Sequence, residues 1–147
     1  MDKETLSFSV LLSSTNWGKL PQFSIWLDEQ QFISNTVDAT STPFTFSAEV
    51  TPGVHKLKIV LENKTPADTK LEAGNIVNDM LLNIDDIVID DISLGHLLWT
   101  ADYTLDQPQN YNGKTITNLD NCVNLGWNGT YSLTFSSPFY LWLLESL

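Results

Sequence analysis

The sequence contains no arginine: its seven basic residues are all lysines, set against 18 acids, for a formal net charge of -11. Arginine forks grip phosphates and guanine edges, and an acidic surface repels a polyanion, so nucleic acid is not expected as a partner. An acidic balance suits solubility, cation binding or docking on a basic partner. There is one cysteine, Cys122. It cannot pair within the chain or build a cysteine-rich zinc site, and it reads as a buried or half-buried thiol. Two histidines, His55 and His96, stand in no motif and read as structural or exposed. The longest apolar run is FYLWLL at 139–144, far short of a bilayer span, so no membrane partner is expected. The acidic start, MDKETLSFSVLLSS, has no basic, apolar character of a secretory leader. Nucleophile elbow, phosphate loop and metal-histidine motifs are all missing, and carboxylate pairs arise by chance among 18 acids. The chain is therefore not expected to be an enzyme.

What is present suits one folded domain. The chain has 147 residues, 42% of them hydrophobic and 11% aromatic, enough for a core. Its dominant pattern has period two. LSFSVLLSS (6–14), QFSIWL (22–27), FTFSAEV (44–50) and VHKLKIVLEN (54–63) alternate as strands do. Asp28-Glu29 marks a hairpin tip, followed by QQFISNTV, and Thr51-Pro52-Gly53 marks a turn. Residues 64–79 are polar, contain Pro66 and Gly74, and read as one long loop. HLLWTADYTL (96–105) and KTITNL (114–119) read as strands, and Asn128-Gly129 reads as a tight hairpin between LGW and TYSLTF. The last segment, SPFYLWLLESL, fits a strand or a short helix with Phe139, Trp142 and Leu143 on one side. Many short strands with a turn every ten residues or so predict an all-β, antiparallel, jelly-roll-like β-sandwich over residues 1–147.

The stretch NDMLLNIDDIVIDDI (78–92) sets five aspartates among leucines and isoleucines. Strict alternation fails there, because Leu82 and Ile84 have one parity and Ile87 and Ile89 the other. A β-bulge at Asp85-Asp86 restores a single apolar face. Most of these acids then read as solvated or as turn residues. Calcium takes six to eight oxygens, and residues 62–79 supply Glu62, Asn63, Asp68, Glu72, Asn75, Asn78 and Asp79. A polar loop ending on a strand could wrap such an ion, although no EF-hand pattern is present.

Three segments, NWGKLPQFSIWLDEQQ (16–31), PGVHKLKIVLEN (52–63) and NDMLLNIDDI (78–87), resemble the calcium-dependent, xylan-binding type of carbohydrate-binding module. Gly18, Pro21, Phe23, Ile25, Leu27 and Asp28 match its opening strand, with Glu29 where glycine is usual. Asp79, Leu82, Ile84, Asp85 and Ile87 keep the spacing of its Asp-Arg-Asn-Leu-Tyr-Val-Asp strand. The resemblance covers residues 1–92 and implies a β-sandwich in which Ca²⁺ in a loop completes its coordination with sugar hydroxyls. It implies a metal site at Asp79; Asn63, Glu62 and Asp68, from the oxygen-rich segment 62–79, are further candidate ligands. The family's Asn-Asp pair is Asn63-Lys64 here, and its Arg-Asn is Met80-Leu81. Residues 93–147 supply additional strands of the same domain. They resemble, more faintly, proteins of T4-like marine cyanophages.

The leading expectation is a non-catalytic domain that binds a glycan or polysaccharide. Trp17, Tyr103, Tyr111 and Trp127 are the candidate stacking platforms. The alternative is a virion structural protein, a capsid decoration or a tail or fibre attachment domain, with FYLWLL packed in an interface with virion proteins or in a homo-oligomer. The expected location is the virion or the cytoplasm of an infected cell.

Overall fold

The computed structural model describes residues 2–147, apart from Asn112 and the side chain of Tyr111. Its strands are β1 (Glu4–Thr15), β2 (Gln22–Leu27), β3 (Gln30–Thr36), β4 (Thr42–Val50), β5 (Gly53–Leu61), β6 (Lys70–Glu72), β7 (Asn75–Asn78), β8 (Leu81–Ile89), β9 (Ile92–Ser93), β10 (Asp102–Tyr111), β11 (Lys114–Asp120), β12 (Asn124–Leu125) and β13 (Gly129–Ser137). A helix, α1 (Phe139–Ser146), follows β13. The first sheet has the order β12-β8-β1-β4, with β9 on β8. The second has the order β11-β10-β13-β5-β2-β3. All pairings are antiparallel.

Alternation decides which side chains meet between the sheets. From the first come Leu6, Phe8, Val10 and Leu12 of β1 with Leu82, Ile84, Ile87 and Ile89 of β8, all buried. From the second come Phe23 and Ile25 of β2, Leu57, Ile59 and Leu61 of β5, Tyr103 of β10, and Tyr131, Leu133 and Phe135 of β13. Each such side chain contributes roughly 1.5–3 kcal/mol on leaving water. Phe8 stacks on Phe46 at 4.7 Å between ring centroids, which ties β1 to β4.

The bulge expected in β8 is present. Leu11 pairs with Asp86 and Leu12 with Ile84, so Asp85 is the extra residue and points to solvent. Asp90 and Asp91 take the left-handed conformation (φ 50° and 66°) in the turn to β9. Asp90 is more than a solvated acid, since its Oδ1 accepts the Ser7 N–H at 2.8 Å.

Three expectations about local structure need correction. Residues 64–79 are not one loop: a 3-10 turn at Pro66–Asp68 is followed by the hairpin β6–β7, turned at Ala73 and Gly74 (φ 52° and 81°). The predicted strand over 96–105 begins only at Asp102, because Gly95–Thr100 is a 3-10 helix that buries the consecutive Leu97 and Leu98. Asn128-Gly129 is not a hairpin tip. β12 pairs with β8 in the first sheet and β13 with β10 and β5 in the second, so this dipeptide crosses between sheets. The C-terminal segment is a helix after its first two residues, with Phe139 and Leu143 buried and Trp142 half-buried.

Candidate functional site

The C-terminal end of β5 meets three segments: 62–80, residues 105–109 of β10, and 126–129. Together they enclose a cleft of about 440 Å³ lined by Lys64, Thr65, Pro66, Thr69, Asp106, Gln107, Gln109, Trp127 and Asn128. The volume is that of a small-molecule site, and the lining joins one large aromatic face to amides and hydroxyls.

Two of the segments are fixed by partly buried hydrogen bonds. The hydroxyl of Tyr103 donates to the Trp127 carbonyl and accepts the Trp127 N–H at 3.0 Å. Tyr103 itself is 1% exposed, because it shares the inward parity of Leu105. Burial drives its phenol far above the ordinary range, against the bond to Trp127, so it stays a neutral donor. Tyr103, expected as a stacking platform, is instead a buried bonding partner of the Trp127 backbone. Asn128 uses both ends of its amide on the backbone of one residue. Its Oδ1 accepts the Lys64 N–H at 2.7 Å and its Nδ2 donates to the Lys64 carbonyl at 2.9 Å. Gly129 follows because a Cβ there would lie 2.4 Å from the Thr104 carbonyl oxygen, so β10 approaches too closely for any side chain.

The loop under the cleft is organised by two lysines. The Lys64 ammonium, 7% exposed, donates to Asp79 Oδ1 at 2.5 Å and to the Met80 carbonyl at 2.7 Å. Asp79 Oδ1 also accepts the Thr69 hydroxyl at 2.7 Å and the Met80 N–H at 2.9 Å. The Lys19 ammonium donates to Asp68 Oδ2 at 2.9 Å and to the Asn63 carbonyl at 2.5 Å. The same Asp68 oxygen accepts the N–H and hydroxyl of Thr65, closing the 3-10 turn. Burial raises the Asp68 carboxyl, but the bonds from Lys19 and Thr65 outweigh it and hold it below the usual range.

The candidate metal ligands do not converge. Asn63 Oδ1 accepts the Gln22 N–H at 2.8 Å and its Nδ2 donates to Leu20, so it secures the chain before β2. Glu62 is exposed. Asp68 and Asp79 each hold a lysine. Among the described residues no group of three or more His, Cys, Asp or Glu is placed to hold a metal. A divalent ion at about 4 Å from an ammonium would meet a repulsion of about 8 kcal/mol at an effective dielectric of 20. The residues at Asp79 therefore do not fit calcium.

Of the aromatic candidates, Trp127 lines the cleft. Trp17, 44% exposed, stands against the same loop, with its indole N–H donating to the Asp68 carbonyl at 2.7 Å. The side chain of Tyr111 lies outside the described residues. Sequence reasoning missed Asn128, Gln107 and Gln109. The amide-rich DQPQN segment (106–110), inside β10, is the signal that points to the two glutamines.

The opposite end of β5 carries a second, more open cleft of about 720 Å³, lined by Asp28, Glu29, Glu49, Phe32 and His55 among others. Its central polar pair has a structural role. His55 Nδ1 donates to Asp28 Oδ2 and Nε2 to the Thr51 carbonyl, both at 2.7 Å. Asp28 Oδ1 accepts the Lys56 N–H at 2.9 Å, which fixes the β2–β3 turn on β5.

No protein-family model matches the chain, and no curated protein matches it. Solved structures do. A structure of vCBM60, described among calcium-dependent carbohydrate-binding modules, is 16% identical with a TM-score of 0.60, over 87% of this chain and 89% of that one. The structure of vCBM60 in complex with galactobiose is also 16% identical, with a TM-score of 0.53 over 86% and 96% of the two chains. The chain has the β-sandwich fold of a calcium-dependent carbohydrate-binding module.

Proposed function

We propose that this chain is a non-catalytic glycan-binding domain whose ligand lies in the cleft at Trp127. One observation carries the reading: the Trp127 backbone is clamped by the buried Tyr103 hydroxyl beside a cleft lined with amides and hydroxyls. An indole face suits the C–H face of a sugar ring. Gln107, Gln109, Thr65 and Asp106 offer donors and acceptors to its hydroxyls. Glycoside hydrolysis needs two carboxyl groups flanking the bond, and Asp106 is the only acid among the described lining residues. The galactobiose complex of a chain with this fold supports a neutral oligosaccharide as first ligand to try. Retention on a panel of immobilised polysaccharides and galactobiose tests the reading. Retention on at least one supports it; passage through all of them contradicts it.

A second reading, a virion structural protein without sugar binding, draws on a different observation. Tyr140, Leu141 and Leu144 of α1, with Leu147, are each more than half exposed. Such an apolar surface suits an interface with other virion proteins or a second copy. A defined trimer or hexamer in solution, with no retention on any glycan, would favour it.

A further inference from the structure

Two carboxylates in the loop under the cleft each hold an ammonium, and each ammonium also takes a backbone carbonyl. Lys64 binds Asp79 and the Met80 carbonyl; Lys19 binds Asp68 and the Asn63 carbonyl. Thr69, next to Asp68 in the chain, donates to Asp79, so the two groups share one turn. A hard divalent cation in a loop would do the same work: neutralise carboxylates, collect carbonyls and pin distant segments together. Lys64 is the better placed of the two. It is 7% exposed against 42% for Lys19, and it also lines the cleft.

We infer that the Lys64 ammonium takes the place of calcium in this chain, with Lys19 supporting the same turn, so that loop order and ligand binding are independent of metal. The loop clause rests on the lysine contacts. The ligand clause rests on the glycan reading above. An ammonium has three donors, and two of those of Lys64 are held by Asp79 and Met80. The third is left for a sugar hydroxyl entering the cleft, in place of coordination by a metal. Charge also favours a neutral sugar over a uronate: Asp79 already balances Lys64, and Asp106 adds a carboxylate to the cleft lining.

Calorimetric titration of the wild-type chain with calcium decides the first clause and needs no variant. The inference expects no tight one-to-one binding and the same unfolding midpoint in excess EDTA and in millimolar calcium. Stoichiometric micromolar binding, or a midpoint raised by several degrees, overturns it, since a ligand of the folded state must raise stability. Lys64→Asp vacates the cation position and adds a carboxylate beside Asp79. Its midpoint is expected to rise with calcium; a folded Lys64→Asp chain indifferent to calcium overturns the assignment of the site. Should that variant not fold in EDTA, recovery of its far-ultraviolet circular dichroism on adding calcium counts for the inference, and failure to recover counts against it. Glycan retention measured in EDTA separates the two readings. Retention unchanged by EDTA supports both, and retention that requires calcium overturns this inference. Failure of every glycan in both buffers overturns the proposed function and, with it, the ligand clause.

Discussion

Replacing Lys64 by methionine keeps the length of the side chain and removes its charge. The change strands Asp79, 21% exposed, with the hydrogen bonds from Thr69 and the Met80 N–H as its remaining partners. It also strips the Met80 carbonyl of its donor. Breaking a buried ion pair from one side costs about 3–5 kcal/mol. Solvent reaches part of Asp79, so the lower end applies, about 3 kcal/mol. For a chain of this length about 3 °C of unfolding midpoint corresponds to 1 kcal/mol, which gives a fall of about 9 °C. Asp79→Leu, which leaves the ammonium unpaired, is expected to cost a similar amount. Lys64→Met with Asp79→Leu removes both charges and is expected to lose only about 1–2 kcal/mol, from the bonds that Thr69 and Met80 make. Denaturant unfolding of the four proteins gives the coupling energy, expected from these figures at about 4–5 kcal/mol. Single losses under about 1 kcal/mol, or losses that add within about 0.5 kcal/mol, would refute the view that this pair organises the loop.

Gly129→Ala sets a Cβ against the Thr104 carbonyl and the Tyr103 ring, and is expected to cost about 1–3 kcal/mol in chemical denaturation. Tyr103→Phe leaves the Trp127 carbonyl and N–H without their shared partner; it is expected to lose about 1–3 kcal/mol and to weaken glycan retention while Trp127 is still present. His55 titrates above its ordinary value of about 6.5: burial lowers it, and the bonds to Asp28 and the Thr51 carbonyl more than reverse this. Its stabilising contribution is therefore full below about pH 6.5 and is lost as pH rises through the folded value. An NMR titration is expected to show the ring above 6.5, and lower in Asp28→Asn; a value at or below 6.5 in the unmodified chain would contradict the doubly donating imidazolium. Asp68 has the opposite sign, so its contribution is present above about pH 3.9 and is lost as pH falls through its depressed value.

Alternation carries most of the sandwich in the sequence itself. Leu57, Ile59 and Leu61 announce β5, and the parity switch at Asp85-Asp86 announces the bulge, because one buried face must stay apolar. The hairpin β6–β7 leaves no such mark: every residue of both strands is exposed, so no apolar face records the pairing. Leu97 and Leu98 are adjacent and both buried, which a strand facing one core does not provide and a 3-10 turn does. The cleft is harder to read still. Asn128 acts on Lys64, 64 residues away, and Tyr103 on Trp127, 24 residues away. Such pairs exist only once the register of β10, β13 and β5 is set. Lys64 was visible in the sequence as a departure from a calcium motif; its contacts show a cation already built into the loop.

Sugar binding at Trp127 is measured by isothermal titration of a retained oligosaccharide into the wild-type chain, Trp127→Ala and Trp26→Ala. Trp26 serves as control because it lies in a different depression, beside Lys56, Lys58 and Thr130 on the face of the second sheet. Matched circular dichroism must show all three folded. The wild type and Trp26→Ala are expected to bind, and Trp127→Ala to lose at least tenfold in affinity. Undiminished binding by Trp127→Ala, or loss in Trp26→Ala instead, would contradict it.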